Sequence, residues 1–228
     1  VSAQSRADIL QEVATYLLRQ PATYPLRVAI DGRTASGKTR FADDLSGAVR
    51  GLDAGREVIR TSIDGFHNPR AVRYARGRHS PEGYYRDARN LMAVTDCLLA
   101  PLSPSGSRVY RTEVWDLAGD SASAAPEMTA SPDAILIVDG TFLARPELAG
   151  YWDVHIFLDV SAETCLERGR ERDMAAGADR GTAEAAYRDR YLPAFALYET
   201  EAGPLDTADF LILMERFDAP EIRRRPPP

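Results

Sequence analysis

An α/β fold with a mostly parallel five-stranded sheet, covered by helices on both faces, follows from three observations on this 228-residue chain. Five short apolar runs, at residues 26–31, 57–63, 134–138, 154–160 and 210–214, have the length and β-rich composition of strands. Segments with helical spacing of apolar residues lie between them, and strands alternating with helices imply parallel pairing with helices packed on each face. The first run closes on Gly32 and is followed by a glycine-bearing loop and a helix-competent segment, the strand–loop–helix order of a crossover unit.

The elements follow in chain order. Residues 6–19 place Ile9, Leu10, Val13, Tyr16, Leu17 and Leu18 at helical spacing, with Gln11, Glu12 and Arg19 facing elsewhere, so an amphipathic helix leads the chain. The prolines at 21 and 25 end it. The first strand follows, then a helix over 38–50 and the second strand at 57–63. Residues 65–90 form an insert ahead of a helix predicted over 87–99. Residues 117–132 are rich in Ala, Ser, Pro and Asp without a period and read as a surface segment. The last three strands are interleaved with helices over 162–175 and 182–201. The closing run of three arginines and three prolines cannot build a core and also reads as surface.

At 44% hydrophobic residues the chain can bury one sizeable core, and its length favours a single domain over 1–228. The formal charge of -6 disfavours a broad nucleic-acid or acidic-membrane surface, so the expected partner is a small molecule. Cys97 and Cys165 are the only cysteines and lack metal-ligand spacing, which fits a reducing cytoplasm. No stretch approaches the roughly 18 apolar residues of a membrane span. Nothing in the sequence sets the oligomeric state, and a homo-oligomer stays open.

The chemistry concentrates in Gly32-Arg33-Thr34-Ala35-Ser36-Gly37-Lys38-Thr39, which is Gly, four residues, Gly, Lys, Thr, placed after a strand and opening a helix. Its glycines let backbone N–H groups wrap a phosphate, Lys38 reaches the outer phosphates, and the Thr39 hydroxyl is placed to ligate magnesium. ATP and Mg²⁺ are the expected cofactors. Lys38 is the only lysine of the chain, against many arginines, which points to a site that needs a compact ammonium rather than a planar guanidinium.

Two acids end strands at the edge where ligands bind in open α/β sheets. Asp64, in Ser62-Ile63-Asp64-Gly65-Phe66-His67, is the candidate base that accepts a proton from an acceptor hydroxyl; a turn-capping Asp is the alternative. Asp139, before Gly140, is the candidate magnesium ligand opposite Thr39, with an ordinary Asp-Gly turn as the alternative. Arg168, Arg170, Arg172 and Arg180 suit a lid over about 163–182, with Arg168 the candidate nucleotide contact and Arg172 the candidate catalytic arginine, while which of them touches the transferred group stays open; a solvated helix face is the competing reading. His67, Tyr84 and the basic, aromatic stretch Arg70, Arg73, Tyr74, Arg76, Arg78 and His79 are candidates for the acceptor pocket or plain surface.

These motifs, in this order over about residues 26–214, resemble the uridine kinase and phosphoribulokinase group of P-loop kinases. Asp64 to His67 is similar to the group's strand end bearing a base for a sugar hydroxyl, and residues 159–173 to its lid helix. Tyr187, Tyr191, Pro193, Tyr198 and residues 208–212 are similar to its closing helix and last strand. The resemblance implies a three-layer P-loop NTPase fold with a helical lid and a small-molecule kinase activity, with uridine or cytidine as leading acceptor and Tyr110 and Arg111 among its contacts. The chain departs from the group at Asp139-Gly140 and at Asp64 to His67, and pantothenate, glycerate and sugar kinases share the cradle. A guanine-specific switch resembles its relatives in an Asn-Lys-x-Asp motif, which a chain with Lys38 as its only lysine cannot hold. A non-catalytic ATP-binding regulator is the remaining rival.

Overall fold

The first helix begins with a reciprocal cap: the Ser5 hydroxyl accepts from the backbone N–H of Asp8, and the Asp8 carboxylate accepts from that of Ser5. The structure is a computed structural model and describes residues 4–21 and 23–224. From this cap α1 (Arg6–Leu18) buries Ile9, Leu10, Val13, Ala14 and Leu17. Tyr16, expected on the apolar face, sits at its margin and meets Phe210 edge-on at 5.0 Å. β1 (Leu26–Gly32) is buried along its whole length, as a central parallel strand must be, and feeds α2 (Lys38–Leu52). β2 (Val58–Ser62) follows, then the short helices α3 (Arg70–Arg73), α4 (Pro81–Arg86) and α5 (Leu91–Val94), the last continuing as a wider turn over Thr95–Leu99.

Two small antiparallel pairs come next: β3 (Val109–Tyr110) with β6 (Met128–Thr129), and between them β4 (Trp115–Asp116) with β5 (Ser121–Ala122). The chain returns to the sheet at β7 (Ile135–Asp139), turns through α6 (Pro146–Ala149) into β8 (Val154–Asp159), and continues in α7 (Ala162–Ala175) and α8 (Arg180–Ala185). A wide turn over Ala186–Tyr191 joins α8 to α9 (Leu192–Ala202), and α10 (Pro204–Thr207) leads to β9 (Phe210–Leu213) and β10 (Glu221–Arg224). The sheet order is β10-β9-β8-β1-β7-β2. The five predicted strands are parallel, so the C-terminal ends of β1, β2 and β7 meet at one edge. α1 and α2 cover one face over Val28, Ile30, Ile137, Ile156 and Ile212, and α5 with its continuation covers the other over Ala29, Leu136 and Val138.

Two expectations need correction. The sheet has a sixth strand, β10, antiparallel to β9, which takes in Arg223 and Arg224 of the run assigned to the surface: Ile222 packs on the core margin while Arg224 stacks 4.3 Å above Tyr16. The aliphatic stem of an arginine and one isoleucine suffice for an edge strand; residues 225–228 of that end lie outside the described residues. The helix expected from 87 begins at Leu91, because the Asn90 side chain caps the N–H of Ala93 and residues 87–90 bond back to the loop after β2. Residues 117–132 lie mostly at the surface, as expected, and carry the exposed pairs β5 and β6, too short to leave a period.

Candidate functional site

The loop between β1 and α2 is forced into its path by backbone chemistry. Gly32 lies at φ 146°, and a Cβ there would meet the Leu158 carbonyl oxygen at 2.6 Å. Gly37 sits at φ 95° and Ala35 at 66°, the latter a left-handed alanine of the kind found where a loop is shaped for a ligand. No side chain caps α2, so its first N–H groups are left for an anion. Buried Lys38 folds back to donate to the Arg33 carbonyl at 2.7 Å, and the Ser36 hydroxyl is buried without a partner. A cradle with open amides, an orphan hydroxyl and one ammonium at its wall fits a polyphosphate.

The Thr39 hydroxyl donates to Oδ2 of Asp139 at 2.7 Å, and Arg60 lies 2.8 Å from Oδ1. Gly140 follows because Ile63 occupies the space a side chain would need, at 2.3 Å from a Cβ. Thr39 and Asp139 offer hard oxygen donors, and among the described residues no group of three His, Cys, Asp or Glu side chains could hold a metal by itself. This set suits Mg²⁺, which takes one or two protein oxygens and fills its remaining positions with phosphate and water.

Asp64 lies in the turn Ile63–Phe66 after β2, held by the Ser62 hydroxyl and paired with Arg89 at 2.5 Å. Gly65 is needed there, since a Cβ would press on Glu113 and the Thr112 carbonyl at 2.7 Å. Partial desolvation raises the Asp64 pKa, but the Arg89 guanidinium, the largest opposing influence, outweighs it and holds the carboxyl below its ordinary 3.8. Asp64 is therefore an ionised base at neutral pH. His67 is buried, and Nδ1 donates to the Asp64 carbonyl at 2.6 Å, which fixes the tautomer because a carbonyl only accepts. Burial first, then Arg89, push its pKa down to about 4, so His67 is a neutral clamp on the turn.

One cleft of about 660 Å³ gathers these groups: Lys38, Thr39, Asp64, Asp139, Tyr84, Arg89, Arg168 and Arg172 all line it, with Thr34, Ala35 and Gly37 of the cradle. Arg168 donates to the carbonyls of Met214 and Glu215 and keeps Nη1 buried without a partner, while Arg172 donates to the Tyr187 hydroxyl at 3.0 Å. The Tyr84 hydroxyl lies 3.4 Å from that of Thr34.

Other expected residues are elsewhere. The Arg33 side chain turns from the cleft to Glu199 (2.6 Å), the Val160 carbonyl (3.0 Å) and the Phe195 ring, so it braces the cradle and only its backbone faces a phosphate. Tyr110 is buried among Ile59, Phe66 and Leu98, and Arg111 faces Glu127; neither lines the cleft. His67 and Arg180 do not line it either, and Arg180 faces Glu184. Four lining residues had not been singled out: Arg89, Arg40, Thr141 and Phe217, the last packed beside Gly37 with the Arg40 guanidinium 4.1 Å above its ring. A stretch already noted as basic could have drawn attention to Arg89; Phe217, in the turn between β9 and β10, left no local signal.

Helix α7 is seated by a close approach. Gly169 of α7 faces the fully buried Tyr187 ring, and a Cβ would stand 1.9 Å from it. Gly169→Ala is expected to cost about 1–3 kcal/mol by overpacking, lowering Tm by about 2–4 °C per kcal/mol in thermal unfolding. An unchanged Tm would mean that Tyr187 leaves this contact freely.

No family model and no curated protein sequence matches the chain. Solved structures do. A structure described as a possible uridine kinase from Bacillus stearothermophilus aligns at TM-score 0.69 and 22% identity, over 90% of this chain and 97% of that one. D-glycerate 3-kinase from Cryptococcus neoformans aligns at 0.63 and 13%, over 95% and 99%. Phosphoribulokinase from Rhodobacter spheroides aligns at 0.63 and 16%, over 91% and 82%. The chain has the fold of the uridine kinase and phosphoribulokinase group of P-loop kinases.

Proposed function

We propose that the chain is a magnesium- and ATP-dependent kinase that phosphorylates a hydroxyl of a small acceptor. The observation that carries this reading is one cleft lined together by the residues of a phosphate cradle, an ionised Asp64, Lys38 and the two arginines Arg168 and Arg172 of α7. Bound between Thr39 and Asp139, Mg²⁺ would supply charge neutralisation at the outer phosphates. The open amides of α2 and the Lys38 ammonium hold the phosphate chain. Asp64 accepts the acceptor proton as that oxygen bonds to the γ-phosphorus, and the bond from phosphorus to the β,γ-bridging oxygen breaks to leave ADP. Arg168 and Arg172 face charge developing on the transferred group and exclude water when α7 closes.

Uridine and cytidine remain in view through the resemblance, although the stretch likened to a base contact, Tyr110 and Arg111, lies outside the cleft. The test is ADP release with Mg-ATP across nucleosides, sugars, sugar phosphates, glycerate and pantothenate against a blank without acceptor. Stimulation by any acceptor supports the kinase; a flat panel with tight Mg-ATP binding would replace it with a nucleotide-binding regulator. Among the described residues no helix is long and apolar enough to cross a membrane.

A further inference from the structure

We propose that Arg70, Arg73 and Arg78 form a subsite for a phosphate or carboxylate carried by the acceptor, so that the substrate is an anionic metabolite rather than a neutral nucleoside. The word acceptor rests on the kinase reading above; the anion subsite does not.

A second hollow, of about 480 Å³, is lined by Arg70, Arg73, Tyr74, Arg78 and Leu117, with no carboxylate in its wall. Its arginines are held in place from behind. Asp120, in the turn of the β4–β5 hairpin, accepts from the Arg70 backbone N–H at 2.9 Å, from Arg73 at 3.1 Å and from the Trp115 indole at 3.3 Å. That one carboxylate is the only acidic partner of the three guanidiniums among the described residues; the Arg70 side chain reaches it only at 3.9 Å and Arg78 has none. Arg73 is buried, with Nε unpartnered.

The guanidiniums of Arg73, Arg78 and Arg190 converge on the Tyr74 ring at 5.2, 5.7 and 5.4 Å from its centroid. Like charges brought together around one ring, in a chain whose net charge is -6, are costly unless an anion joins them. Planar N–H forks match the oxygens of phosphate and carboxylate, and a nucleoside offers neither. The hollow is also coupled to the chemistry: Arg190 lies 4.8 Å from the ring of Tyr84, which lines the cleft beside Asp64. A molecule with its hydroxyl at Asp64 and its charge at Arg78 would lie along the Tyr84–Arg190–Tyr74 stack.

Two measurements test this. Turnover is compared for matched pairs, a sugar phosphate with its parent sugar and a hydroxy acid with its amide, in wild type and in Arg78→Glu, an exposed position whose loss leaves the Asp120 anchor intact. Inorganic phosphate is titrated by calorimetry into both proteins with the cradle already filled by Mg-ADP. The expected result is turnover of the charged member of a pair, KM raised at least about 10-fold by Arg78→Glu with kcat nearly unchanged, and phosphate binding lost in the variant. Equal use of charged and neutral acceptors with an unmoved KM overturns the proposal, as does phosphate binding that ignores Arg78. A flat acceptor panel with Arg78-dependent phosphate binding removes the kinase reading and the acceptor as the anion's source, leaving a site for free anions.

Discussion

Asp64→Asn is expected to lower kcat by about 10²–10⁴-fold while leaving Mg-ATP affinity within a few-fold of wild type. The substitution keeps the shape of the side chain and removes its capacity to take a proton, so the loss falls on the chemical step. The pH profile separates this role from a structural one. Arg89 is the main influence holding the Asp64 carboxyl below its ordinary value, so the base form persists to low pH and the acid limb of kcat/KM should lie below about pH 4. Arg89→Gln removes that influence and leaves desolvation, which raises the pKa, so the acid limb should move to higher pH. Stopped assays across the acid range read both effects. A turnover in Asp64→Asn close to wild type would sink the assignment, and an acid limb indifferent to Arg89 would mean that another group titrates there.

The fold was legible because its signals are local. The central strands β1, β7 and β8 are apolar runs that the sheet buries, β2 and β9 show alternating burial, and the Gly-x4-Gly-Lys-Thr loop announces its own geometry through residues that only a constrained turn requires. The antiparallel edge strand was hidden because an edge needs little apolar surface, and Glu221–Arg224 offers one isoleucine. The candidate site was legible to the extent that its residues sit at strand ends: Asp64 and Asp139 reach the cleft because the parallel register brings the ends of β2 and β7 level with β1. Contacts made across the chain were not. Asp31, next to Gly32, reads as a strand residue, yet it is fully buried, receives the Tyr198 hydroxyl and lies 3.5 Å from His155. No spacing in the sequence joins those three. Arg33 fails for a related reason, since a loop residue can lend its backbone to a phosphate while its side chain braces α9.

Lys38→Arg should weaken Mg-ATP binding by about 10–100-fold and lower kcat by about 10²–10³-fold, although the formal charge is unchanged. The physical reason lies in the space around the ammonium. Lys38 is buried, and its Nζ reaches the Arg33 carbonyl at 2.7 Å within a loop that passes through three residues at positive φ, Gly32 at 146°, Ala35 at 66° and Gly37 at 95°. A compact ammonium can leave that carbonyl for a phosphate oxygen by rotating about its own stem. A guanidinium is broader, planar and directional, and it meets the same walls with five donors to place. Calorimetry with Mg-ATP in the absence of acceptor measures the binding part, and saturating single-turnover rates measure the rest. Lys38→Met, which removes the charge, should be at least as damaging. If arginine restored wild-type binding while methionine abolished it, the site would need only a positive charge, and the retention of one lysine in a chain otherwise served by arginine would lose its explanation.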